Sequence, residues 1–273
     1  MWKLIKMDFY RLFSSKTIKV GAFMAFLACA GYMLLSLGII EISKLTFKED
    51  PSIATGMGAL LAQVGWMNGV DFSEIVFGGT AVFSLFIGCM ISANFIGAEQ
   101  ACGYTKNFAG QLPNKGYMAI SKFVVTSVSQ TMLLVLYTVV SAIFAQLLFG
   151  PYISGYDIST LLAALGLRLM LHLAINAIII FICTLTKSHA IAMVAGCIFG
   201  LGVTKVVYTA AGMVLGLMSI DLDIGSYMPD GIISQLSLYT VEDLWIKAVV
   251  VSLAFIAVFL ASNYFILRKR DVR

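Results

Sequence analysis

Apolar residues run along this chain in blocks longer than the core of a soluble domain needs. Six stretches are predominantly apolar over about 20 residues or more: 18–40, 75–98, 123–148, 158–185, 190–218 and 248–267. A helix needs about that length to cross a bilayer's hydrocarbon layer. The pattern therefore predicts an all-α integral membrane protein with six transmembrane helices in one domain, residues 1–273. Ahead of the first span, Trp2, Ile5, Phe9, Leu12 and Phe13 recur at helical spacing, with Lys3, Lys6 and Arg11 mostly off that face. Residues 1–17 are expected to form an interfacial helix, apolar side in the acyl region and cations toward anionic headgroups.

Two connections carry apolar pieces too short to span. Residues 41–74 contain the Gly-rich "IATGMGALLAQVGWMN", expected to form a small outer helix or a re-entrant piece. Between spans five and six, "MPDG" signals a turn, and a short re-entrant outer helix is expected over 231–239.

Composition agrees with this reading. Hydrophobic residues make up 60% of the chain and charged residues 12%, where soluble domains carry roughly 25% charged. With both termini cytoplasmic, thirteen Lys and Arg residues fall on the inside and three, Lys44, Lys48 and Lys247, on the outside. That asymmetry is the positive-inside signature. "ACA" at Ala28–Ala30 mimics a signal-peptidase site, but the apolar run continues to Ile40, and cleavage would leave five spans. Of the five cysteines, Cys29, Cys89, Cys183 and Cys197 fall in spans and none forms a CxxC pair, which points to small packing residues.

Polar groups inside the spans are few. Arg168, His172 and Asn176 recur every four residues and so form one stripe on the fourth span. Lys205 and Tyr208 are placed on one face of the fifth. No Asp or Glu lies within the spans, so the two cations must reach carbonyls, loop acids such as Asp71, Glu74 or Asp157, or an anionic ligand. These five residues are candidates for a transport pathway; snorkelling to headgroups is the structural alternative. Catalytic patterns are missing: there is no HExxH, no GxSxG elbow and no carboxylate pair within the spans. No metal site or resident cofactor is expected.

The longest polar interruption is "GAEQACGYTKNFAGQLPNKGYMAISK", residues 97–122. It faces the cytoplasm between spans two and three, is basic, and turns at Pro113-Asn114. Its first part, 98–109, is expected to form a short helix across the end of the second span. The arrangement E-x-x-x-G-x-x-K-N (Glu99, Gly103, Lys106, Asn107), followed by a proline-marked turn and a lysine opening the next span (Lys122), resembles the permease subunits of type-2 ABC exporters. Members of that family often have Thr after the Gly and Ser-Arg after the Pro, where Tyr104 and Asn114-Lys115 stand here.

The resemblance implies that residues 99–122 are a coupling loop docked on a separate ABC ATPase. Glu99 would cap backbone amides or hold a cation of that partner, and Lys106 and Asn107 would supply donors. It also implies two ATPases per complex and a second permease chain, as a homodimer or heterodimer, in a bacterial cytoplasmic membrane. ATP and Mg would be bound by the ATPase. This chain has no G-x-x-x-x-G-K-[ST] loop, indeed no Gly-Lys dipeptide at all. Small permeases of this kind often expel amphipathic or antimicrobial peptides, drugs or lipids. The alternatives are a polytopic lipid-modifying enzyme, which needs clustered acids or histidines at one face, and a secondary carrier, which needs an acid inside a span. Lipids are expected partners and nucleic acid is not.

Overall fold

The computed structural model describes residues 2–49, 70–81, 83–102, 114–150, 153–155, 157–217 and 223–269. These form α1 (Trp2–Ser14), α2 (Lys16–Glu49), α3 (Phe72–Ala81), α4 (Ser84–Ala101), α5 (Tyr117–Phe149), α6 (Ile158–Thr186), α7 (His189–Gly200), α8 (Thr204–Leu217), α9 (Pro229–Gln235) and α10 (Val241–Lys269). Two 3-10 turns, Ile224–Tyr227 and Leu238–Thr240, flank α9. The only ladder among the described residues is a short parallel one, Val70 on Ile153 and Asp71 on Gly155.

Among the described residues, four helices are long and apolar enough to cross a membrane: Lys16–Gly38, Tyr117–Phe149, Ile158–Thr186 and Leu238–Lys269. A fifth crossing results if the bent pair α7–α8 is one span. The chain thus has the character of a multi-pass membrane protein.

Two of the apolar runs are broken where an uninterrupted span is expected. Run 75–98 splits into α3 and α4 at Phe83, whose φ of 59° is left-handed and stops helical hydrogen bonding. Its longer half, Ser84–Glu99, is too short for a full crossing. Run 190–218 splits into α7 and α8, which bend by 71° at Leu201–Val203, where Gly202 takes a φ of 69°. The two breaks are neighbours: a Cβ on Gly200 would lie 2.5 Å from the Cα of Phe86. The short helix expected over 231–239 is instead Pro229–Gln235, with Pro at its start, followed by a separate 3-10 turn. The apolar piece at 53–68 lies outside the described residues.

Packing defines two ends of the bundle. At one, Leu4 of α1, Met118 and Ala119 of α5, and Leu267 of α10 form an apolar cluster. Asn114 donates to the Tyr264 hydroxyl there at 2.5 Å. The beginning of the first helix and the close of the last therefore meet. At the other end, Ser73 and Asp157 exchange hydrogen bonds: the Ser73 hydroxyl donates to the Asp157 carbonyl at 2.8 Å and accepts from its N–H at 3.0 Å. These residues start α3 and α6. Asp71 accepts from the Ser73 N–H, and Asp157 from the Thr160 N–H, which caps both helices.

Between the ends, helices approach through small residues. A Cβ on Gly97 would fall 2.2 Å from His189, and on Gly196 about 3.5 Å from Cys89. With Gly200 on Phe86, these contacts seat α4 and α7 closely along their length. Without a hydrophobic drive between helices in lipid, such close contact is what holds them.

Candidate functional site

The residues with the densest chemistry gather where α1, α4 and α5 meet. Glu99 sits in the last turn of α4, within the helix rather than opening a loop. Its side chain is only 1% exposed, and both carboxylate oxygens are taken. Arg11 Nη2 of α1 donates to Oε2 at 2.8 Å, and Lys122 Nζ of α5 lies 3.0 Å from Oε1. Arg11 also lies 3.8 Å from Asp8 Oδ1 and stacks over the Phe95 ring at 4.2 Å. Asp8 accepts a 2.7 Å bond from the Ser121 hydroxyl. Two acids and two cations thus balance in a largely buried cluster, the arrangement in which buried charge is tolerable.

Helical periodicity explains how α1 delivers its share. Leu4, Ile5, Asp8 and Leu12 form its buried stripe, while Trp2 is 79% exposed. The expected apolar face survives in Ile5 and Leu12, with Phe9 and Phe13 stacked beside it at 5.9 Å. Arg11 is not simply turned toward headgroups, since it reaches inward to Glu99. Burial pushes the Asp8 carboxyl above its ordinary value; the Ser121 hydrogen bond opposes this, the Glu99 charge adds to it, and Arg11 and Lys122 pull it back. A cavity of about 330 Å³ adjoins the cluster, lined by Arg11, Ser15, Asn94, Phe95, Glu99 and Cys102 among others.

Glu99 and Lys122 are the two stems of the polar stretch read from sequence as a coupling loop. Of the residues singled out there, Gly103, Lys106 and Asn107 lie outside the described residues. Glu99, expected to cap backbone amides or hold a cation of a partner, pairs here with two cations of its own chain. Asp8 and Arg11 were not foreseen in this role. An Asp among the apolar positions of α1, four residues from both Leu4 and Leu12, was the available signal.

The polar stripe on α6 is buried. Arg168 is 2% exposed, donates to the Phe77 carbonyl at 2.9 Å and lies 3.6 Å over the Phe77 ring. His172 is buried one turn on, and Asn176 Nδ2 donates to the Thr126 hydroxyl of α5 at 2.9 Å. The stripe therefore joins α6 to α3 and α5.

The other two candidates part company. Lys205 is exposed, whereas Tyr208 turns inward and donates to Asp230 of α9 at 3.0 Å. The Thr204 hydroxyl donates to the other oxygen of the same carboxylate. Asp230 is buried, and a Cβ on Gly231 would overlap the Gly225 carbonyl at 1.9 Å, so only glycine fits there. This packed knot holds the loop before α10 against the start of α8. The "MPDG" turn chemistry indicated the turn but not where its aspartate would go.

No protein-family model matches this chain, and no curated protein matches it.

Proposed function

We propose that this chain is the membrane-spanning permease subunit of an ATP-driven exporter of the type-2 ABC kind. In this reading six spans cross a bacterial cytoplasmic membrane with both termini inside. The broken runs α3–α4 and α7–α8 provide the second and fifth, and α9 is a short re-entrant outer helix. The polar loop over residues 99–122 then serves as the coupling loop to a separate ATPase. Two permease chains meet two such ATPases. The chain carries no phosphate-cradling loop, so the hydrolytic energy must come from outside it.

The observation that carries this reading is the Arg11–Glu99–Lys122 network. It ties both stems of the polar loop to each other and to the N-terminal helix. Breaking a buried pair by removing one partner costs about 3–5 kcal/mol, so the stems resist separation. A push delivered to the loop moves α1, α4 and α5 together, which is what a transmitted stroke requires. Glu99 holds the linkage rigid, and Lys106 and Asn107 remain as donors for the partner. Amphipathic or antimicrobial peptides, drugs or lipids are the proposed cargo.

The test is ATP hydrolysis by the native complex. The chain purified alone should hydrolyse no ATP, and turnover should appear with a co-purifying ATPase subunit. Turnover by the chain alone, free of contaminants, overturns the proposal.

A further inference from the structure

We propose that a cavity at the bundle end opposite Glu99 binds an alkylammonium group. The cavity, about 230 Å³, lies among α2, α3, the end of α5 and the 3-10 turn before α10. Its lining includes Glu74, Tyr32, Ser36, Phe149 and Tyr239. It is smaller than the pockets that enclose drug-sized molecules, so it suits a headgroup with a short stretch of chain.

The chemistry of the lining selects for a cation. Among the described residues no Lys or Arg lines the cavity. Glu74 lies in the first turn of α3 and supplies the carboxylate of the lining. Among the described residues no cation pairs with it. Ser36 directs its proton to the carbonyls of Tyr32 and Met33, at 2.9 and 3.0 Å, and so offers only lone pairs. Tyr32, Phe149 and Tyr239 add aromatic rings to the lining, and an aromatic face attracts an ammonium within about 6 Å of its centroid. Acceptors and π-faces together call for a donor that carries positive charge. Arg168 stacks on Phe77 but is not among the cavity's lining residues.

Tyr239 closes the site. Its hydroxyl donates to Glu74 Oε1, yet the residue is 80% exposed, so little packing holds it there. An ammonium displaces that hydroxyl and replaces a neutral donor on the carboxylate with a cationic one. On the wall, Gly78 leaves room for the Tyr32 hydroxyl, which would lie 2.7 Å from a Cβ at that position. Binding of this kind needs no ATPase and no transport, so its failure and that of the exporter reading are distinguishable.

The experiment is isothermal titration of hexylammonium, with hexanol as the neutral control, into the full chain in phosphatidylglycerol nanodiscs, corrected for protein-free discs. Hexylammonium should bind at least about tenfold more tightly than hexanol. Glu74→Gln should abolish that preference, and Tyr239→Phe, which removes the competing hydroxyl, should tighten hexylammonium binding by about two- to tenfold. Opposite signs from the two variants separate site chemistry from misfolding. Native mass spectrometry from phosphatidylethanolamine-containing membranes then identifies the source. Lipid retained by the wild type and lost from Glu74→Gln assigns the site to a lipid headgroup; hexylammonium binding without retained lipid assigns it to a free or peptide amine. No preference over hexanol, a preference unchanged in Glu74→Gln, or any result but tightening in Tyr239→Phe overturns the proposal.

Discussion

Glu99 and Lys122, one on each stem of the polar loop, close on each other with Lys122 Nζ 3.0 Å from Glu99 Oε1. Arg11 completes the arrangement from the other carboxylate oxygen. The consequence is that one acid, far from both cations in sequence, fixes where α1 sits against the bundle. Glu99→Gln should destabilise the chain by about 3–5 kcal/mol, because Arg11 and Lys122 are left with Asp8 as the one acid of the cluster. Glu99→Gln combined with Lys122→Met should cost less than the sum of the single changes, since they share one network. Denaturation midpoints of the four proteins in one detergent measure this. Strict additivity contradicts the coupling.

The seam between α4 and α7 depends on glycine where His189 crosses Gly97. Gly97→Ala should cost about 1–3 kcal/mol through overpacking. His189→Ala should recover most of that loss by vacating the space. Thermal unfolding of the single and double variants reads both effects, and no recovery in the double variant contradicts this packing.

Asp230 anchors the loop before α10 through Thr204 and Tyr208. Asp230→Ala should release residues 223–240 and expose them to limited proteolysis. Tyr208→Phe, which removes one of two hydrogen bonds to the carboxylate, should do so less, at about 1.5–3 kcal/mol. A digestion pattern unchanged in Asp230→Ala contradicts the anchor.

Arg168 and Lys205 should behave differently. Arg168 is held against Phe77 and buried, while Lys205 is exposed. A water-soluble thiol reagent applied from outside should leave Arg168→Cys unlabelled and modify Lys205→Cys. Arg168→Lys should recover stability only in part, because an ammonium lacks the planar fork that stacks on a ring. Rapid labelling at position 168 that cargo blocks would instead place Arg168 in a pathway.

The helical, multi-pass character was legible because apolar length is a one-dimensional property. Four runs from the sequence reappear as long helices with ends shifted by a few residues, or up to nine at the far end of α2. The breaks were harder to see. Phe83 stands in "TAVFSLF", with no Gly or Pro to announce a left-handed residue. Gly200 and Gly202 did precede the bend at the fifth run, but glycine is also common in membrane helices that pack closely. The polar stripe on α6 was readable from its spacing of four, although the Phe77 carbonyl and ring that receive Arg168 depend on tertiary packing. Glu99 stood out in the sequence for its position. That its counter-charges would come from α1 and α5 of the same chain was not readable, because 88 residues separate it from Arg11.

The central claim is that residues 103–113 meet an ATPase. A photoreactive residue placed at Lys106, activated in native membranes, tests it most directly. The expected adduct is a second protein that carries a phosphate-cradling G-x-x-x-x-G-K-[ST] loop, and its yield should change when ATP is trapped. An adduct to lipid alone, or to a protein with no nucleotide-binding loop, would contradict the account.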